Sequence, residues 1–305
     1  NSKKIRYLID KYKGKPYLIS ELAAAFGTLE IMNGATKKGR KFVDLSLLSP
    51  SENTLSQCIW LKSIQGVNIT SEKLELIHPI EGEVTKSYKS KDFQTCRDKL
   101  IELHAFQPFS SHSLISAGYV CLTALDDYDF VISTSENRVP ISNMEFMEIN
   151  NLIVAYLMKG DMDEASALIS SLYEKGMQTK EKHLDTLCAT TGLFLMLSGL
   201  TQEGANLYER VITRLKLKND QKQLALAKFF YGRVLKSIDP IKSDGLMKKS
   251  EALAKKHNVY EIESSNYFRS AATPDVFRLH TKIAHLNHPG VEEKCTQLTN
   301  LLNKD

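Results

Sequence analysis

Apolar residues recur along this chain at helical spacing, in segments broken by short polar turns. The stretch Asn150–Gly176, NNLIVAYLMKGDMDEASALISSLYEKG, shows the pattern most fully. An apolar run predicts one helix, Lys159-Gly160-Asp161 a turn, and the segment marked by Ala165 a second helix. The same layout returns elsewhere. Gly160 is followed five residues later by Ala165, Gly199 by Gly204, and Gly34 by Gly39. Two of these turns have another glycine seven residues earlier: Gly27 before Gly34, and Gly192 before Gly199. A mid-helix glycine costs about 1 kcal/mol against Ala. Such a cost predicts that a second helix backbone passes close by.

More degenerate units fill the gaps. Tyr88–Phe93 reads as a turn leading to Cys96, Leu100 and Pro108; Leu125–Tyr128 reads as another, followed by Phe130–Ile132 and Pro140. Ser51–Ile64 and Ser71–Ile77 supply a divergent pair. Phe229–Leu235 opens a further hairpin that must stop before Pro240, which has no N–H to give a helix interior. It resumes over Gly245–Lys256, where Ser250, Ala252 and Ala254 suggest a small-residue face. The markers Asp92, Asp127, Asp161 and Leu200 lie 35, 34 and 39 residues apart. This is the period of a helical-pair repeat.

On these markers the chain resembles the tetratricopeptide repeat (TPR) family. The motifs are Phe26-Gly27…Gly34…Gly39…Pro50, Lys91-Asp92-Phe93…Cys96…Pro108, Gly160-Asp161-Met162…Ala165 and Gly192…Gly199…Gly204…Tyr208, within roughly residues 16–256. The resemblance implies an all-α, right-handed superhelical array of antiparallel helix pairs. A basic leading helix would span 1–15, six to seven helix pairs 16–272, and capping helices 273–305. It also implies a concave groove lined by first helices, at Asn150, Val154, Leu157, Met158, Ala189, Leu193, Met196, Leu197, Phe229 and Arg233. Met and Leu at helical spacing are equally the mark of a core. Glutamate at Leu157 and Met196 would separate the readings, by unfolding the protein or by releasing a partner. The occupant expected of a groove is a peptide, an amphipathic helix or a neighbouring domain; Val291–Leu302 is an amphipathic segment of the chain itself. Arg233 and Lys236 would suit an acidic peptide. The Asn150 unit is also similar to a pentatricopeptide repeat, in which Asn150 would read an RNA base. Its neighbours do not repeat that signature.

Charge adds one rival. The net charge is +4, yet residues 1–50 carry ten basic groups against four acids. Lys3, Lys4, Arg6, Lys37, Lys38, Arg40 and Lys41 form a candidate basic patch for nucleic-acid phosphates. No recognition helix follows Ser20–Gly27, so helix-turn-helix DNA reading is not expected.

Other chemistry has thin support. His280, His285 and His288 with Cys295 lack paired metal-ligand spacing, and no phosphate loop or hydrolase motif occurs. Asp126-Asp127-Tyr128-Asp129 reads as a solvated turn cap. The expectation is a non-enzymatic interaction module with no cofactor and no metal. Leu187–Leu200, the longest weakly polar run, is 14 residues, and a bilayer span needs about 20. Five scattered cysteines suit buried, reduced thiols in the cytoplasm. A chain beginning at Asn1 suggests the C-terminal part of something longer.

Overall fold

A computed structural model describes residues 2–65, 79–108, 110–136, 139–269, 297–298 and 300–301. The expected Ser71–Ile77 helix and the His280–Cys295 cluster lie outside them, as do most of the 273–305 caps and most of Val291–Leu302. Among the described residues every regular element is helical, and the helices pack in adjacent pairs. The chain divides into two compact units after Ser113.

The first unit begins with α1 (Ser2–Tyr12) and continues with α2 (Ser20–Met32), α3 (Thr36–Ser46), α4 (Glu52–Gln65), α5 (Ile80–Lys89) and α6 (Phe93–Phe106). Ile9, Ile19, Ala23 and Phe26 pack α1 onto α2; Ile31, Val43, Leu47, Leu55, Cys58 and Leu61 join α2, α3 and α4. Burial pushes the Cys58 thiol up to about 11, so it stays protonated.

The next helix is α7 (His112–Val120), which runs on as a π-helical turn, Cys121–Leu125. The second unit takes in most of α7 and then α8 (Tyr128–Glu136), α9 (Phe146–Lys159), α10 (Met162–Gln178) and α11 (Lys180–Leu197). It continues through α12 (Thr201–Leu217), α13 (Gln221–Leu235), α14 (Pro240–His257), α15 (Tyr260–Glu263) and α16 (Asn266–Arg269). Pro240 sits in the first turn of α14, where its missing N–H is not needed.

A numerical register unites four hairpins. If n is the mid-point of the first helix, the turn residue is n+7 and its facing residue in the second helix is n+12. The sets are Gly27/Gly34/Gly39, Val84/Lys91/Cys96, Ile153/Gly160/Ala165 and Gly192/Gly199/Gly204. All four turn residues are left-handed, with φ of +85°, +63°, +86° and +92°. Each turn closes with the same two hydrogen bonds, for example Gly34 N–H to Ile31 O and Ala35 N–H to Glu30 O, at 3.0 and 2.8 Å. This is the Schellman pattern, which needs one left-handed residue just past the helix and uses otherwise orphaned carbonyls.

The expected close approach is present at both mid-helix glycines. A Cβ on Gly27 would stand 2.9 Å from Gly39 O, and one on Gly192 would stand 3.0 Å from Gly204 O. In the second hairpin Cys96 Sγ reaches Val84 O at 3.8 Å. The α13–α14 pair solves the same problem with serine: Ser243 Oγ donates to Gly232 O and Ser250 Oγ to Ala225 O, at 2.7 and 2.8 Å. Ser243, Met247, Ser250 and Ala254 are buried, whereas Ala252 is exposed, so the small face keeps Ser250 and Ala254 as expected, gains Ser243 and lacks Ala252.

Candidate functional site

The positions assigned to a concave groove are core. Asn150, Val154, Leu157, Met158, Leu193, Met196, Leu197, Phe229 and Arg233 are all buried, and Ala189 is half-buried against the same cluster. The reason lies in how the first helices of the second unit meet. Helix α9 packs on α11 and α11 on α13, so the inner faces cover one another. Asn150 accepts a hydrogen bond from Thr190 Oγ1 at 2.6 Å across the α9–α11 seam. Its oxygen is therefore engaged within the fold and is not offered to an RNA base.

Arg233 completes the closure. It is 2% exposed, and its guanidinium donates to Asp126 Oδ1 at 2.7 Å and to the Tyr128 hydroxyl at 2.6 Å. Tyr128 in turn donates to the same Asp126 oxygen at 2.9 Å. The rings of Phe229 and Tyr267 lie 5.3 and 5.1 Å from the guanidinium carbon. Asp126 is presented by the π-helical turn and is itself left-handed, at φ +55°. Burial opposes the charge on Arg233, but the Tyr128 and Asp126 oxygens outweigh it and its pKa is raised. Burial also raises the Tyr128 phenol, helped by the Asp126 charge. The acidic turn expected to be a solvated cap is thus split. Asp127 caps α8 through Phe130 N–H, Asp129 pairs with Lys159, and Asp126 holds a buried arginine. Lys236 pairs with Asp244 rather than remaining open for a peptide.

In the first unit the two predicted basic segments come together. Arg6 from α1 and Lys38 from α3 both reach Glu30 of α2, at 2.9 and 3.2 Å. Hydrogen bonds from Arg6 and then Lys38 hold the Glu30 carboxyl below the usual carboxylate range. Arg6 also lies over the Phe26 ring, 5.6 Å from its centre. Lys3, Lys4, Lys37, Arg40 and Lys41 are exposed, with no carboxylate partner among the described residues.

Beside this cluster α2 shows an apolar stripe that composition had concealed. Ala25, Leu29 and Met32 lie at i, i+4 and i+7 and are all exposed, Leu29 and Met32 by 54% and 56%. The stripe runs between two packed faces of α2. On one side Leu22 and Phe26 meet α1. On the other, Ser20 and Thr28 bond Thr54 and Gln57 of α4, at 3.2 and 2.8 Å. In the hairpin register the stripe stands at n−2, n+2 and n+5, so it shares only Met32 with the face expected to line a groove, whose other equivalents here, Ala24, Thr28 and Ile31, are buried. Its signal was Leu29 and Met32 one turn apart on a helix whose buried side was already supplied by Ala23, Gly27 and Ile31.

Among the described residues no three His, Cys, Asp or Glu side chains gather as a metal site, and no helix is long and apolar enough to cross a membrane. Cys58, Cys96, Cys121 and Cys188 are buried. No protein-family description, curated protein or solved structure matches the chain.

Proposed function

We propose that this chain is a non-enzymatic, TPR-like interaction module whose first unit docks an acidic amphipathic helix of a partner protein. The observation that carries this reading is the exposed Ala25–Leu29–Met32 stripe beside a basic cluster in which Glu30 answers two cations. An amphipathic helix recognised in a groove offers apolar anchors at i, i+3 and i+4, which match such a stripe. Acidic flanks would meet Lys37, Arg40 and Lys41 and gain attraction and orientation more than raw affinity. The test is fluorescence anisotropy with a labelled helical peptide bearing leucine on one face and glutamate on the other. Leu29→Glu with Met32→Glu should abolish binding. Lys37→Glu with Arg40→Glu and Lys41→Glu should weaken it and flatten its salt dependence. All five residues are exposed, so the circular dichroism of both variants should match the wild type. Failure of the wild-type chain to bind the peptide would overturn the reading.

A second reading rests on a different face. Tyr7, Tyr12 and Tyr17 are exposed among Lys3, Lys4, Lys11, Lys13 and Lys15, with Lys11 Nζ 5.3 Å from the Tyr12 ring centre. Alternating cations and aromatic rings suit single-stranded nucleic acid, whose bases stack while its phosphates pair. Micromolar or tighter RNA binding at physiological salt, lost on Tyr7→Ala with Tyr17→Ala, would favour it over the protein partner.

A further inference from the structure

Helix α13 is met by a piece of chain too short to be a hairpin. Helices α9 and α11 are each packed by the first helix of the next pair, α11 and α13. Among the described residues α13 has no such successor, since α14 is its own hairpin partner. Phe229 and Arg233 of α13 are covered instead by α16, four residues long. The Phe229 ring centre lies 6.2 Å from that of Tyr267 and 5.9 Å from that of Phe268. Tyr267 also lies against the Arg233 guanidinium, at 5.1 Å. Asn266 Nδ2 donates to Leu125 O of the π-helical turn at 2.8 Å. Among the described residues this is the only hydrogen bond that α16 makes beyond itself and Ser265.

Two observations mark this contact as an occupied binding site. First, the walls are held without the occupant. Phe229 belongs to the α13–α14 core with Ala225, Met247 and Ala254, and Arg233 is fixed by Asp126 and Tyr128. Both are buried, whereas Tyr267 and Phe268 are half-buried and Asn266 is exposed. Second, Arg233 Nε is buried and has no acceptor. The present occupant leaves it unsatisfied, and an unmade bond to a buried donor is costly. Asp126 already answers the guanidinium charge, so an uncharged oxygen would suffice there.

We propose that Phe229, Arg233 and Leu125 O form a peptide-binding site, filled by the chain's own Asn266–Phe268 until a partner protein displaces it. The partner segment carries an amide side chain followed by two aromatic residues. The amide bonds Leu125 O, and the rings cover Phe229 and Arg233. A backbone carbonyl of that segment placed over Arg233 Nε gives it an advantage over the chain's own residues. This site lies in the second unit and is independent of the docking stripe on α2.

The experiment uses the full chain carrying Tyr267→Ala with Phe268→Ala, which empties the site. The probe is a fluorescein-labelled peptide with the sequence Glu263–Arg269, followed by anisotropy. The emptied variant should bind it. The wild type should bind it about tenfold more weakly or worse, because its own copy competes at a high effective concentration. A peptide with alanine at both aromatic positions should bind neither chain. Alanine for the peptide's asparagine should weaken binding about fivefold, the loss of one hydrogen bond. Asn266→Ala in the otherwise wild-type chain should do the opposite and bind the original peptide about fivefold more tightly, since it weakens the competitor. Asn266 is exposed, so this variant folds as the wild type does. The proposal fails if the emptied variant keeps its circular dichroism but ignores the peptide, or if Asn266→Ala binds no more tightly than the wild type. Equal affinity of the wild type and the emptied variant would place the peptide elsewhere and overturn it too. Unfolding of the emptied variant would make Tyr267 and Phe268 part of the core, with the same consequence.

Discussion

Alanine at Gly204 should separate helices α11 and α12. A Cβ there would lie 2.5 Å from Gly192 O and 2.7 Å from the Met196 backbone nitrogen. Ordinary contact begins near 3.4 Å, so the two backbones must part by roughly 1 Å in a densely packed interior. Overpacking costs about 1–3 kcal/mol, and the upper end applies because the obstacle is backbone, which has no rotamer to change. Helix propensity returns at most about 1 kcal/mol. The net loss is about 2 kcal/mol, or about 4–8 °C in melting temperature for a unit of this size. Gly245 provides the control. It lies inside α14 of the same unit, and a Cβ there meets nothing within 4 Å. Gly245→Ala should therefore stabilise by about 0.5–1 kcal/mol through the unfolded state alone. Urea denaturation followed by circular dichroism measures both. Shifts of the same sign, or a neutral Gly204→Ala, would refute the backbone-contact explanation of the hairpin register.

Arg233→Leu should cost about 3 kcal/mol, because it leaves the half-buried Asp126 carboxylate without its cation and with only the Tyr128 hydroxyl as donor; adding Asp126→Asn should restore part of that loss in a double-mutant cycle. Lys91→Gly should stabilise the α5–α6 turn by about 1 kcal/mol, since a left-handed residue with a Cβ carries that penalty; a urea midpoint at or below the wild-type value would contradict it. His183 stacks on Phe146 at 4.5 Å, and burial followed by the Lys182 charge lowers its pKa below the ordinary 6.5. Its contribution to stability is complete above pH 6.5 and is lost as pH falls through the lower folded value, because the unfolded chain binds the proton first; a histidine NMR titration midpoint above 6.5 would reverse the sign. Leu157→Glu and Met196→Glu should each unfold the second unit, as both side chains are fully enclosed; a folded variant by circular dichroism would return these positions to a groove.

Much of the fold was legible because it depends on neighbours in sequence. Gly34, Gly160 and Gly199 announce left-handed turns, and Gly27 and Gly192 announce close helix contact, since each requirement is met within one hairpin. Lys91 and the π-helical turn before Asp126 were harder to see, because neither carries the glycine that usually signals such a backbone. The groove assignment went astray for a physical reason. Helical spacing states that Leu157 and Met196 share a face with other apolar residues, but it does not state what covers that face. Whether a first helix is covered depends on contacts such as Arg233 to Asp126, between residues 107 apart. Nothing local specifies that distance. The same applies to the basic patch: Arg6 and Lys38 were visible as charges, but only the packing of three helices shows that they share Glu30.

That long contact also sets an order of events in folding. Helical hairpins closed by their own turns bring together residues only a dozen positions apart, and such local contacts form quickly. The Asp126–Tyr128–Arg233 junction cannot form until the intervening hairpins have found their places, since its loop-closure entropy must be met first. It should therefore be among the last parts of the second unit to assemble and, under strain, among the first to open. When it opens, it would uncover the inner faces of α9, α11 and α13 while each hairpin remains intact. Local opening of this unit should therefore be governed chiefly by one arginine.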